Sequence, residues 1–369
     1  MQIINSVSVA QVVHLPILQL LSQLYITEAI CDISKKTADH CASKFHIPHS
    51  TTDPYGLINS PDIDLIFNLT SDEFHAPYTI AALEAGKHVM VEKPLTLGLA
   101  SGESILEAER KAKDGAKVFV GYMRRYAPSF VEAFKREVAT IPRIMYARSR
   151  DIVGPNSLFV GQSGTEPVKH TDFPPNAVED RNKRISALLN DVWGGQEVTP
   201  ERSDYCRFLG SLGSHDLSLM REGLGGLPES IQAVSVNKPF YTAMFNYRNK
   251  SGEPSSVTYE SGIDQVPRFD AHLAVYGEKK SVSIQYNTPY VKGLPIVVEV
   301  DELNEKDERT HRTLQTSFED AYTAELRELY DCLVHAKPIK TSVADAMEDL
   351  TLFDMMHKQY NAQLANVRS

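Results

Sequence analysis

The chain has 369 residues, 42% of them hydrophobic and 23% charged, with a formal net charge of −10. That length exceeds one ordinary hydrophobic core and calls for two domains in a soluble globular protein. The acidic balance argues against nucleic acid and anionic membranes as partners, since both need basic surfaces. No apolar run approaches the roughly 20 residues that span a bilayer.

Ile3-Ile4 opens the first apolar run with no basic n-region before it, so no signal peptide is expected. Ala10 to Leu24 has helical spacing, Ile26 to Asp32 reads as a strand ending in an acid, and Ser34 to Phe45 is helical. Ile63 to Leu69 and His88 to Val91 read as strands around a helix over Pro77 to Ala85, and Lys117 to Gly121 as one more strand. Such alternation predicts an α/β, Rossmann-type doubly wound parallel sheet.

After about Arg143 the pattern changes. Arg143–Ile152, Ser230–Asn237, Tyr241–Arg248, Ser256–Glu260, Ala271–Tyr276, Ser281–Tyr286 and Ile296–Val300 have period 2. They predict a C-terminal α+β domain with an open, mostly antiparallel sheet. Helices are expected near Ala177–Leu189, Pro200–Glu222, Phe318–His335 and Ala344–Gln363. Val153 to Pro175, rich in Gly, Pro, Ser and Asn, is a surface loop or a lid over the site. The domains are therefore drawn as residues 1–122, Rossmann-type, and 123–369, α+β. Cys31, Cys41, Cys206 and Cys332 lack C-x-x-C spacing and read as reduced thiols of a cytoplasmic protein, with no metal site.

A dinucleotide fold sets G-x-G-x-x-G or G-x-G-x-x-A directly after its first strand. Here the chain reads Asn5-Ser6-Val7-Ser8-Val9-Ala10. Ala10 meets the third requirement, close helix–strand packing. Asn5 tolerates a left-handed backbone better than most non-glycine residues. Val7 sets a β-branched side chain where the backbone should touch the pyrophosphate. Asp32 follows Asn5 by 27 positions, near the roughly 20-residue offset of the acid that binds the adenosine ribose; it is equally placed to cap the helix that starts near Ser34. An acid here leans towards NAD, whereas Ser34, Lys35 and Lys36 suit the 2′-phosphate of NADP.

Ala81 to Pro94 reads A-A-L-E-A-G-K-H-V-M-V-E-K-P and resembles a strand-turn signature of the Gfo/Idh/MocA family of nicotinamide-dependent oxidoreductases. A lone lysine is usually a solvated charge, but this whole context matches. The resemblance implies that Lys93 enters the cleft between domains, hydrogen-bonds the reacting hydroxyl and does acid–base work. It puts Glu92, Asn68, Thr70 and His75 beside the cofactor. The family's second catalytic element is an Asp followed four residues later by His; here Ser211 stands in place of the Asp, and His215 matches. Asp216, next to His215, falls about 100° around the helix on another face. Gly121 to Pro128 matches the exit from the nucleotide domain, which puts Arg124 or Arg125, and with less support Asp151, at the substrate.

These residues point to an NAD(P)-dependent oxidoreductase acting on a secondary alcohol or ketone of a sugar, polyol or related small metabolite, with NAD the favoured cofactor. The substituted glycine loop leaves a second reading: cofactor binding weakened or lost, and Lys93 and His215 serving an isomerase, lyase or cyclase, or a binding protein without catalysis. The resemblance also implies a homodimer or homotetramer, associated through apolar residues such as Val234, Val236, Phe245, Tyr247, Val275 and Tyr276 on the open sheet.

Overall fold

The structure, a computed structural model, describes residues 2–4, 9–249 and 252–368. The chain divides into two compact units: residues 1–121, 163–199 and 329–350 form the first, and 122–162, 200–328 and 351–369 the second. The first break, at Gly121/Tyr122, comes before the period-2 segments begin. Residues 163–199 and 329–350 return to the first unit, so the second is not the single stretch 123–369.

In the first unit β1 (Gln2–Ile4) leads to a π-helical turn, Ala10–His14, that runs on into α1 (Leu15–Leu20). There follow β2 (Ala29–Cys31), α2 (Lys35–Lys44), β3 (His49–Thr51), α3 (Pro54–Ile58), β4 (Leu65–Asn68), α4 (Asp72–Glu84), β5 (His88–Glu92), α5 (Leu99–Lys111) and β6 (Val118–Gly121). The helix starts are written locally. Ser34 caps α2 by accepting the Thr37 N–H at 3.0 Å, and Asp53 caps α3 by accepting the N–H groups of Tyr55 and Gly56 at 3.1 and 3.0 Å. The runs Leu65–Asn68 and Val118–Gly121 are buried on both faces, as a sheet covered by helices requires. Helix α4 begins earlier than Pro77 and accommodates that proline inside it.

All strands of this sheet are parallel, in the order β3-β2-β1-β4-β5-β6. The order reverses between β1 and β4. Open α/β sheets bind ligands beyond the carboxyl ends of their strands at such a switch point. Asp32, Asn68, Thr70, Glu92 and Lys93 all lie at or just past those ends.

In the second unit eight strands form one sheet, β14-β13-β12-β11-β7-β10-β9-β8. They are β7 (Tyr146–Val153), β8 (Ser230–Asn237), β9 (Phe240–Arg248), β10 (Pro254–Ile263), β11 (Phe269–Tyr276), β12 (Lys280–Tyr286), β13 (Val297–Leu303) and β14 (Arg309–Leu314). Pairing is antiparallel except between β7 and β10. The expected helix over Pro200–Glu222 is two, Pro200–Phe208 and Ser214–Leu224, joined by a π-helical turn, Leu209–Gly213. Two strands escaped the sequence reading. β3 is three residues long, and β14, Arg-Thr-His-Arg-Thr-Leu, is an edge strand without apolar alternation.

The residues nominated for association need a correction. Val234, Phe245, Tyr247 and Val275 are buried in the chain's own core, while Tyr276 is exposed. The opposite face carries Tyr146, Arg148, Arg150, Glu260, Asp270 and His272, and its ion pairs include Arg150 with Glu260 and Asp270. Period 2 identifies a two-faced strand but does not say which face meets the helices.

Candidate active site

From Val89 to Gly98, Lys93 is the one residue that is not buried. The turn that presents it is clamped from two sides. Below it, the Glu92 carboxylate accepts a hydrogen bond from His14 Nε2 at 2.7 Å and from the Lys93 backbone N–H at 3.2 Å. Burial alone would raise the Glu92 carboxyl; the His14 hydrogen bond, together with the charges of His14 and Lys93, reverses this and holds it below its ordinary value. Beside it, the Lys93–Pro94 bond is cis, and the Pro94 carbonyl lies 2.7 Å from His75 Nδ1. His75 Nε2 lies 2.9 Å from the Thr70 carbonyl. The buried ring therefore ties the turn after β4 to the lysine turn.

Asn68 extends that scaffold. Its amide donates to the His75 carbonyl at 3.0 Å and to Thr79 Oγ1 at 3.3 Å, and it accepts from Thr70 Oγ1 at 2.7 Å. The residues nominated for the cofactor thus also build the turns at the sheet's carboxyl edge. The sequence reading missed His14. Its signal was a histidine inside an apolar helical stretch, facing a buried strand-end acid that needs a partner.

At the β1–β2 edge, Ala10 is fully buried, as close helix–strand packing demands. Asn5 and Val7 lie outside the described residues. Asp32 is buried, with Oδ1 accepting the Ser34 N–H at 2.8 Å. Burial, opposed by that hydrogen bond and reinforced by the charge of Asp172, pushes its carboxyl up to about 6. Asp172 belongs to an irregular segment, residues 163–175, that lies over this edge.

In the second unit His215 is half-buried near the start of Ser214–Leu224, while Ser211, in the π-helical turn, is exposed and donates to the Phe208 carbonyl at 3.3 Å. Asp216 turns inward on another face. Arg124 Nη1 reaches Asp216 Oδ1 at 2.5 Å, and Arg124 Nη2 reaches Asp151 Oδ2 at 2.8 Å, all three side chains at most 4% exposed. Burial, then the neighbouring Asp151 charge, raise the Asp216 carboxyl well above its ordinary range; burial raises Asp151 as well. Arg125, also buried, donates to Glu222 at 2.5 Å and to Ser218 at 3.1 Å. Arg124, Arg125 and Asp151 are therefore members of buried ion-pair networks within their own unit, which makes them framework residues in this arrangement.

A parallel sheet that reverses at β1/β4, an acid past β2 and a clamped lysine turn past β5 define a Rossmann-type unit. Residues 7–122 match the Gfo/Idh/MocA description, "Oxidoreductase family, NAD-binding Rossmann fold". The match to this oxidoreductase family covers the Rossmann-type region of the first unit. The chain is 34% identical to scyllo-inositol 2-dehydrogenase (NAD(+)) of Bacillus subtilis over 136 residues, 36% of this chain and 39% of that protein. It is 30% identical to myo-inositol 2-dehydrogenase of Thermotoga maritima over 142 residues, 38% and 42% of the two chains. The matched region thus spans about two-fifths of each relative's length. Across the whole chain the fold is shared with levoglucosan dehydrogenase in complex with NADH and levoglucosan, at a TM-score of 0.72 and 16% identity, covering 98% of this chain and 97% of that one.

Proposed function

We propose that this protein is an NAD(P)-dependent dehydrogenase or reductase acting on a secondary alcohol or ketone of a sugar, polyol or related small metabolite. One observation carries the reading: Lys93 alone reaches out of a buried segment, at the carboxyl edge of a switch-point sheet, and is clamped by Glu92–His14 and by His75. A donor carried on a turn held this firmly needs little backbone reorganisation when the reacting oxygen gains charge. Lys93 polarises that oxygen and carries its proton; His215 is assigned the second proton-carrying role. The nicotinamide cofactor, when bound, supplies hydride exchange. Its adenosine end falls to Ala10 and Asp32, and Asp32 favours NAD. The relatives' inositol substrates support the polyol class.

We further place the protein in the cytoplasm as a homodimer or homotetramer, by analogy of fold; among the described residues no helix is long and apolar enough to cross a membrane. The segment laid over the adenosine end supports the second reading, acid–base chemistry without free cofactor exchange.

The test is a screen of inositols and sugars with NAD+ and NADP+, following reduced cofactor, with Lys93→Ala alongside. Loss of turnover with cofactor affinity intact is expected. Turnover retained in Lys93→Ala overturns the proposal, and activity that needs no added cofactor moves it to the second reading.

A further inference from the structure

Irregular stretches longer than about 12 residues inside a compact unit are uncommon and are usually functional. Residues 163–175 are such a stretch, and its anchors are specific. Gln11 forms a reciprocal pair with Val168, donating to its carbonyl at 2.8 Å and accepting its N–H at 2.9 Å. Thr37 Oγ1 accepts the His170 N–H at 3.1 Å. Lys44 donates to the Thr165 and Glu166 carbonyls. The Asp172 carboxylate accepts from the Ser34 hydroxyl and, at 3.2 Å, from the Lys36 N–H. Gln11, Ser34 and Thr37 are buried.

The anchors coincide with two functional positions of the sheet. Gln11 is in the first turn after β1, and Ser34 to Thr37 form the first turn after β2. In a unit of this topology those turns hold the pyrophosphate and the adenosine ribose. The α2 turn is furnished for an anion by a hydroxyl, a backbone N–H and two lysines, and the chain's own carboxylate sits there. Asp172 adds negative charge beside Asp32. A 2′-phosphate would require the same donors and would meet two carboxylates.

We propose that residues 163–175 are a displaceable strap that competes with the adenosine end of the cofactor, and that Asp172 is the residue that excludes the 2′-phosphate of NADP(H). This rests on the dinucleotide reading above. NADH enters by displacing the Gln11–Val168 and Thr37–His170 hydrogen bonds. With Asp172 seated, NADPH is rejected.

The experiment titrates the whole protein with NADH and with NADPH by cofactor fluorescence, in wild type, Asp172→Ala and Asp172→Asn, and follows backbone hydrogen exchange at Val168 and His170. Asp172 is exposed, so both variants should fold. The wild type should prefer NADH, and NADH should speed exchange at both amides. Asp172→Asn keeps the shape and removes the charge, so it should improve NADPH binding about tenfold or more and NADH little. Asp172→Ala should also loosen the strap and tighten both, NADPH more. Binding that is indifferent to Asp172, with strap exchange unmoved by NADH, overturns the strap while leaving the dinucleotide reading intact. No binding of either cofactor to any variant overturns both.

Discussion

Glu92→Gln tests whether the buried pair beneath the lysine turn holds this edge of the sheet. The substitution preserves shape and removes one charge. His14 is fully buried, and the Glu92 side chain is 8% exposed. Removing one member of a buried pair costs about 3–5 kcal/mol, because the other is left in a low-dielectric site without its partner. At roughly 2–4 °C per kcal/mol, the first unit should melt on the order of 10 °C lower. The pair should also be visible in pH. Glu92 sits below its ordinary value near 4.5 in the folded chain, so the unfolded chain binds its proton more readily. Its contribution is present above that ordinary value and is lost as pH falls through the lower, folded one. Wild type should therefore lose stability on acidification below about pH 4.5 more steeply than Glu92→Gln. Circular-dichroism melts of wild type, Glu92→Gln, His14→Ala and the double variant give the coupling directly. A coupling above about 1.5 kcal/mol is expected. Additive single effects within about 0.5 kcal/mol would refute the clamp.

Arg124→Met should destabilise the second unit by about 3–5 kcal/mol in urea unfolding, since it leaves Asp151 and Asp216 facing each other without their cation; replacing all three with apolar residues of similar volume should recover most of the loss. Asp32 sits at about 6 in the folded chain, above its unfolded value. Its stabilisation is thus full at acid pH and fades as pH rises through about 6; Asp32→Asn should flatten that decline when denaturant midpoints are compared across it, and an unchanged slope would count against a buried carboxyl there. Lys93→Ala should leave unfolding midpoints within about 0.5 kcal/mol of wild type, because the side chain is half-buried and its removal opens no core cavity. That separates its chemical from any structural role.

The sequence determined the class of both units and the position of the lysine. Strand–helix alternation up to Gly121 and period-2 segments beyond it follow from local physics, apolar residues repeating at the spacing of the element that buries them. The E-K-P context needed only contiguous residues. What required the tertiary structure were partnerships across long separations. His14 and Glu92 are 78 positions apart, Arg124 and Asp216 are 92 apart, and Ser34 and Asp172 are 138 apart. An isolated arginine or aspartate in the sequence reads equally as a substrate ligand or a buried partner; only the packing around it, which removes water and supplies the opposite charge, decides between them. The same holds for residues 163–199, whose composition marks a loop and a helix but whose return to the first unit depends on hydrogen bonds to turns more than a hundred residues earlier.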